Sequence, residues 1–240
     1  MAMKELITIT QVAKMLGVNI ATLRRWDNSG KLIAIRPSKG SHRLYRLRDI
    51  EVFMTDIFSV AKRWVTSNVP AEPEKPFYCT NSSTFQTRLS RMEEELKTAF
   101  PDLFSLISSI AGEIGNNSFD HNLGKWPDIN GIFFAYDLSK NVVVLADRGL
   151  GILETLRKVK NELGNHKDAL KVAFTEVITG RAPEHRGNGL KYVRQVVTES
   201  TIRLTFQTGD ANLDLQQGDT DIKIKCADQP FRGCLALIRF

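Results

Sequence analysis

The stretch GEIGNNSFDHN, residues 112–122, places Glu113, Asn117 and His121 four residues apart. In a helix of 3.6 residues per turn, positions four apart lie about 40° from one another around the axis, so the three share one stripe. The preceding run LFSLISSIA, 103–111, is mostly apolar and reads as a helix suited to burial. Burying an unpaired polar group costs about 1–3 kcal/mol, so such a stripe needs solvent or a hydrated ligand above it. A carboxylate, an amide oxygen and an imidazole suit a phosphate-bound metal and an attacking water. On these residues alone, a stripe turned to solvent fits equally.

Two later stretches add to it. LADRGLGI, 145–152, follows a β-rich run and sets Asp147 two residues before Gly149 and four before Gly151. A carboxylate there accepts a hydrogen bond from an amino group on a base, and the glycines let the backbone approach closely. EHRGNGLKYV, 184–193, puts Gly187 and Gly189 just before an expected helix through Leu190 and Val193. Glycines opening a helix turn free N–H groups towards an anion such as a phosphate chain. Either glycine stretch alone also fits an ordinary turn. A GxxxxGK[ST] sequence is absent, so a P-loop is not the source of nucleotide binding.

Taken in this order, the three stretches resemble the N, G1 and G2 boxes of the GHKL ATPases, the group of gyrase, heat-shock chaperone ATPases, histidine kinases and MutL. The resemblance spans about residues 85–240. It implies a two-layer α/β sandwich of the Bergerat type with ATP held between a helical layer and a mobile lid, with Mg²⁺ as its companion. Carried over to this chain, Asn117 would ligate Mg²⁺ and Glu113 would act as general base. Asp147 would read the adenine amino group, Gly149 and Gly151 would lie under the nucleotide, and Gly187 and Gly189 would form the phosphate end of the lid. His121 matches a box position of histidine kinases. Lys125, Arg181, His185 and Arg186 fit either an approach to the phosphates or a solvated lid surface. No histidine occurs in the helix expected at 84–100, so autophosphorylation in cis is not expected.

Composition divides the chain in two. Residues 1–66 hold 12 Lys/Arg against 5 Asp/Glu, whereas 67–240 hold 21 against 22, so the excess positive charge lies in the first quarter. Such asymmetry points to a nucleic-acid partner for that part. The segment SNVPAEPEKPFYCTNSS, 67–83, carries three prolines without apolar periodicity and reads as an extended linker. The expected domains are therefore a basic module over 1–66, a linker over 67–83 and an ATPase domain over 84–240, an α+β chain. Within the last, helical spacing falls at 84–100, after Pro101, and at 151–163, 167–179 and 188–198. Strands are expected at 129–137, 141–147, TIRLTFQTG, DIKIKC and CLALIRF.

TITQVAKMLGVNIATLRRWDNSGKL, 8–32, fits a helix capped by Thr10, a turn at Gly17, and a second helix capped by Asn19 with Leu23 and Trp26 inward. Thr22, Arg24 and Arg25 then face outward. IAIRPSKGSHRLYRLRDI, 33–50, reads as a short hairpin whose tip carries Arg36, Lys39, His42 and Arg43. A helix exposing arginines beside a basic hairpin suits duplex DNA, one entering the major groove and the other following phosphates. A solvated basic face is the bland alternative. ATLRRWDNSGKL, the glycine-containing wing, the His42-to-Tyr45 stretch and Asp49-Ile50 resemble the winged helix-turn-helix of MerR and excisionase-like families over about residues 6–55. The resemblance implies double-stranded DNA binding, usually as a homodimer, with Tyr45 among the contact residues. The pattern Ile50, Phe53, Ile57, Val60, Ala61, Trp64 suits a helix packed on a second subunit or in the module's own core.

No apolar run approaches the roughly 20 residues of a membrane span, and MAMKELITIT lacks a signal-peptide pattern. Three cysteines without CxxC spacing suggest neither a disulfide framework nor a zinc site, and the chain reads as cytoplasmic. Three functions stay open at this level: an ATP-controlled DNA-binding regulator, a protein kinase acting on a separate partner protein, and a nucleotide sensor without turnover.

Overall fold

The structure is a computed structural model, and it describes residues 6–16, 19–28, 32–38, 41–54, 57–176 and 189–240. It divides into two compact units, residues 1–56 and 57–240.

In the smaller unit, β1 (Leu6–Thr8) leads into α1 (Ile9–Leu16), α2 (Ile20–Asn28), β2 (Leu44–Arg46) and α3 (Leu47–Met54). The first helix begins one residue before the expected cap Thr10. Thr8 closes a reciprocal capping box with Gln11: Gln11 N donates to Thr8 Oγ1 at 3.3 Å, and Thr8 N donates to Gln11 Oε1 at 2.8 Å. Asn19 caps α2 as expected, accepting from Thr22 N at 2.7 Å. The hairpin closes through Ile35 and Leu44, whose N–H groups each donate to the other's carbonyl. Its second arm then pairs with β1, Ile7 opposite Tyr45, a strand the apolar spacing did not announce. Val12, Leu23, Leu32, Ala34, Tyr45 and Ile50 form the core.

The larger unit starts with α4 (Ile57–Thr66) and β3 (Tyr78–Cys79), followed by the long helices α5 (Ser82–Ala99) and α6 (Phe104–Asn122). Then come the hairpin β4 (Ile132–Asp137) and β5 (Val142–Asp147), the helices α7 (Gly151–Leu156), α8 (His166–Thr175) and α9 (Gly189–Glu199), and the strands β6 (Arg203–Leu215) and β7 (Ile224–Arg239). Among the described residues, five strands form one antiparallel sheet in the order β3-β4-β5-β7-β6. Alternation along the strands sorts their side chains to two faces. Ile132, Phe134, Val143, Leu145, Phe206 and Ile238 face the main core beneath α5, α6, α8 and α9. Gly115 on α6 admits the Phe85 ring of α5, since a Cβ there would come within 2.1 Å of it.

The expected helix-and-sheet sandwich is thus present, with three differences. First, residues 57–66 do not belong to the basic module. Ala61 and Val65 of α4 pack on the opposite sheet face against Phe133, Ala135, Val144, Ala146, Leu235 and Leu237. Second, the proline-rich stretch 67–83 is not a spacer between units: it follows α4, and Tyr78–Cys79 within it pairs with β4. Third, the expected helix over 151–163 stops at Leu156, and DIKIKC and CLALIRF join into the single strand β7. That strand keeps pairing with β6 through register shifts around Gly209.

Candidate functional site

The C-terminal half of α6, the end of β5 and the turn into α7 meet at one pocket. Asp147, the last residue of β5, is 2% exposed. Its Oδ2 accepts from Ser118 Oγ of α6 at 2.8 Å, and its Oδ1 accepts from Gly149 N at 2.8 Å. Burial pushes its carboxyl up to about 6, against the pull of those two donors and of Cys234 N. A carboxyl so placed is an acceptor fixed in direction, with little competition from water.

The backbone beyond Asp147 is held from two sides. Asn122, 3% exposed, donates from Nδ2 to Ser118 O at 2.8 Å, and its Oδ1 accepts from Leu150 N at 2.8 Å. Gly149 packs directly on that amide, where a Cβ would lie 2.1 Å from Nδ2. Gly151 opens α7 with a positive φ of 76°, a conformation that suits glycine. Thr208 of β6 ties this turn to the sheet, accepting from Ile152 N at 3.3 Å and donating to Gly233 O at 2.9 Å.

Ile114, Ile152, Leu190 and Phe206 give the pocket apolar walls suited to a flat base, and Asn117 and His121 line it from α6. Glu113 lies beside it: a Cβ on Gly189 would meet Glu113 Oε2 at 2.4 Å and Asn117 Nδ2 at 3.2 Å. The N-terminus of α9 therefore stands over the first two members of the stripe, as an anion-holding helix start would. The structure brings together Glu113, Asn117, His121, Asp147, Gly151 and Gly189, with Gly149 as packing beneath the turn. Gly187, Arg181, His185 and Arg186 lie outside the described residues, and Lys125 is exposed beyond the end of α6.

Among the described residues, no group of three or more His, Cys, Asp or Glu side chains could hold a metal. A magnesium ion here would rest on Asn117 and on phosphate oxygens, a donor set that suits Mg²⁺ brought in with a nucleotide. Sequence reasoning missed Ser118, Asn122, Thr208 and Cys234. Ser118 and Asn122 sit inside the quoted stretch, one residue after the stripe's Asn117 and His121. Thr208 and Cys234 are distant from the quoted stretches in sequence and are brought to the site by strand pairing, across which they are direct partners.

In the smaller unit, Arg24 and Arg25 are exposed on α2, with Thr22 half-buried beside them. His42 is exposed, and Lys39 lies outside the described residues. Arg36 and Arg43 do not stand free at the hairpin. Both pair with Asp27 Oδ2 of α2, Arg43 through Nε at 2.6 Å, while Asp27 Oδ1 accepts from Ala34 N at 2.9 Å. Burial alone would raise the Asp27 carboxyl, but the Ala34 N–H and the two guanidinium groups outweigh it and hold the carboxyl below its ordinary value. Tyr45 departs from the expectation of a duplex contact. It is 1% exposed, and its ring fills the core because its position on β2 faces Val12 and Leu23 rather than solvent.

Residues 8–45 match the model of the MerR family regulatory protein. This region is a MerR-like helix-turn-helix. The chain is also similar to the Type II methyltransferase M.Eco47II of Escherichia coli, 36% identical over 62 residues, which is 26% of this chain and 15% of that protein. Among solved structures, the 43K ATPase domain of Thermus thermophilus gyrase B in complex with an aminocoumarin is similar with a TM-score of 0.35 and 16% identity, covering 64% of this chain and 40% of that one. The N-terminal domain of a DNA repair protein is similar with a TM-score of 0.32 and 15% identity, over 63% and 40% of the two chains. The chain thus spans well under two thirds of the length of each. No helix among the described residues is long and apolar enough to cross a membrane.

Proposed function

We propose that this chain is a DNA-binding regulator whose larger unit binds Mg-ATP in the pocket at Asp147 and whose MerR-like unit binds duplex DNA. One observation carries the nucleotide half. A fully buried carboxylate, fixed by Ser118 and Gly149, opens on an apolar slot that leads to Asn117 and to the start of α9 at Gly189. Asp147 accepts from the adenine amino group, and the aliphatic walls and Phe206 enclose the ring. Asn117 takes the metal that accompanies the phosphates, and the N–H groups opening α9 take phosphate oxygens. Glu113, beside Asn117 and Gly189, draws a proton from the attacking nucleophile. The exposed Arg24 and Arg25 of α2 enter the major groove, while His42 and the paired Arg36 and Arg43 follow the backbone as part of a homodimer on a symmetric site.

The test uses a duplex enriched by the whole chain from a random pool. Its affinity is measured with and without Mg-ATP, for the parent and for Asn117→Ala. The reading expects a nucleotide-dependent affinity in the parent and none in the variant. Equal affinities in all four conditions would sink it. Phosphate release that disappears in Glu113→Ala marks turnover; label appearing instead on a second protein marks transfer to a partner.

A further inference from the structure

Arg148 stands in the chain between the base-reading Asp147 and Gly149, yet its side chain does not line the pocket. It is 7% exposed. Its Nη1 donates to the carbonyl of Trp64 at 2.7 Å and of Ser67 at 2.9 Å, with Val65 O at 3.3 Å. These carbonyls close the C-terminal end of α4, where helical oxygens lack donors and carry partial negative charge. Arg148 Nε and Nη2 donate to Asp128 Oδ2 at 3.1 and 2.9 Å. Arg232 Nη2 donates to the same oxygen at 2.6 Å, and Arg232 Nε reaches Arg148 O at 3.3 Å. Gly233 lets the strands close here, since a Cβ on it would lie 2.1 Å from Asp147 O.

Three consecutive residues therefore have three separate attachments. Asp147 faces the pocket, Arg148 grips α4 on the other side of the sheet, and Gly149 is packed beneath Asn122. The helix gripped by Arg148 is the one through which the chain enters the larger unit from the MerR-like unit, because α4 begins at Ile57 and the division falls after Asp56. The proline-rich stretch cannot take that part, since it follows α4 and is pinned to the sheet by β3.

From this geometry we infer that Arg148 is the positioning residue that couples nucleotide occupancy to duplex binding, by transmitting displacement of the 147–151 turn to the end of α4. The inference rests on the nucleotide-and-duplex reading above and gives it a route. A nucleotide that engages Asp147 and the turn shifts the backbone from which the guanidinium extends. The planar fork, fixed at five hydrogen bonds to α4 and Asp128, carries that shift across the sheet rather than absorbing it. Binding linkage then requires the converse, that duplex raises or lowers nucleotide affinity by the same factor.

The test compares the parent with Arg148→Lys, which keeps the charge but cannot span the carbonyls and Asp128 together, and with Asp128→Asn, which loosens the clamp from its other end. In the parent, Mg-ATP shifts duplex affinity by about tenfold, whereas in both variants the shift falls below about twofold while the separate affinities for Mg-ATP and for duplex stay within about threefold of the parent. Hydrogen exchange on the parent without DNA gives a readout independent of any variant: Mg-ATP alters exchange at the amides of 57–69. Variants that retain the full shift, or α4 amides indifferent to Mg-ATP, overturn the Arg148 route while leaving the nucleotide-and-duplex reading in place. A parent that binds no Mg-ATP removes that reading itself, so the two failures are distinct.

Discussion

Asp147 holds its carboxyl at about 6, against 3.8 for a free side chain, because burial disfavours the charge more than Ser118, Gly149 and Cys234 favour it. The folded value lies above the unfolded one, so the folded chain binds this proton more tightly and loses stability as pH rises from about 4 to above 6, by roughly 3 kcal/mol. Asp147→Asn should flatten that part of the stability curve measured by urea unfolding, since the Ser118 hydroxyl can turn to accept from the amide. On the proposed reading, a nucleotide amino group donates to the ionised carboxylate. ATP affinity measured by calorimetry should therefore hold above pH 6 and fall by close to tenfold per unit below it. Asn122 offers a second residue-level check. Asn122→Ala leaves Leu150 N without its acceptor, removes the second donor to Ser118 O and opens space beneath Gly149, at a cost of about 1–3 kcal/mol. A shift in urea midpoint within error would show that the 149–151 turn is held elsewhere.

At the scale of elements, the hairpin of the smaller unit is latched to α2 by Asp27, which receives Ala34 N, Arg36 and Arg43. Because its carboxyl lies below its ordinary value, the latch contributes stability at neutral pH that is lost as acid drives the pH down through that lowered value. Asp27→Ala should weaken binding to specific and random duplex alike, by freeing the hairpin rather than by losing a base contact, whereas Arg24→Ala and Arg25→Ala should change specificity as well. Equal loss from all three, on both kinds of duplex, would remove the groove-reading assignment. The sequence made the helices legible where one face stayed apolar for several turns, as in α5 and α6. It made the site legible because the stripe on α6 and the Asp147 turn are local in the chain. It did not reveal β3, two residues inside a proline-rich stretch, or the continuity of β7, whose irregular pairing interrupts alternation. Tyr45 misled because its alternation on a three-residue strand is too short to show which face is inward. Ser118 and Asn122 were hidden by chemistry, since short polar side chains in a helix commonly bond their own turn, as Asn122 also does here.

For the molecule as a whole, the decisive correction is the division after Asp56. Apolar spacing in Ile57, Val60, Ala61 and Trp64 announced an amphipathic helix but not which core it would enter, because any apolar face satisfies the pattern. Here the acceptor is the sheet face of Phe133, Val144 and Leu237, with Trp64 6.4 Å from the Phe133 ring and Phe77 stacked 5.2 Å from it. A fragment 57–240 should therefore unfold cooperatively in urea, while a fragment 67–240 exposes that face, loses the Trp64 and Val65 carbonyls that Arg148 holds, and aggregates or unfolds at lower denaturant. Indistinguishable midpoints for the two fragments would return α4 to the smaller unit. The net positive charge follows the same division, with Lys62 and Arg63 passing to the larger unit and residues 1–56 keeping an excess of five. The central claim is the base-reading pocket, and one measurement tests it most directly: calorimetric titration of the whole chain with Mg-ATP and with Mg-GTP at pH 7.5. Adenine offers Asp147 an amino donor where guanine offers a carbonyl, so ATP should bind at one saturable site, GTP should bind at least about a hundredfold more weakly, and Asp147→Asn should abolish the difference. No heat with ATP, or equal affinity for the two nucleotides, would contradict the account.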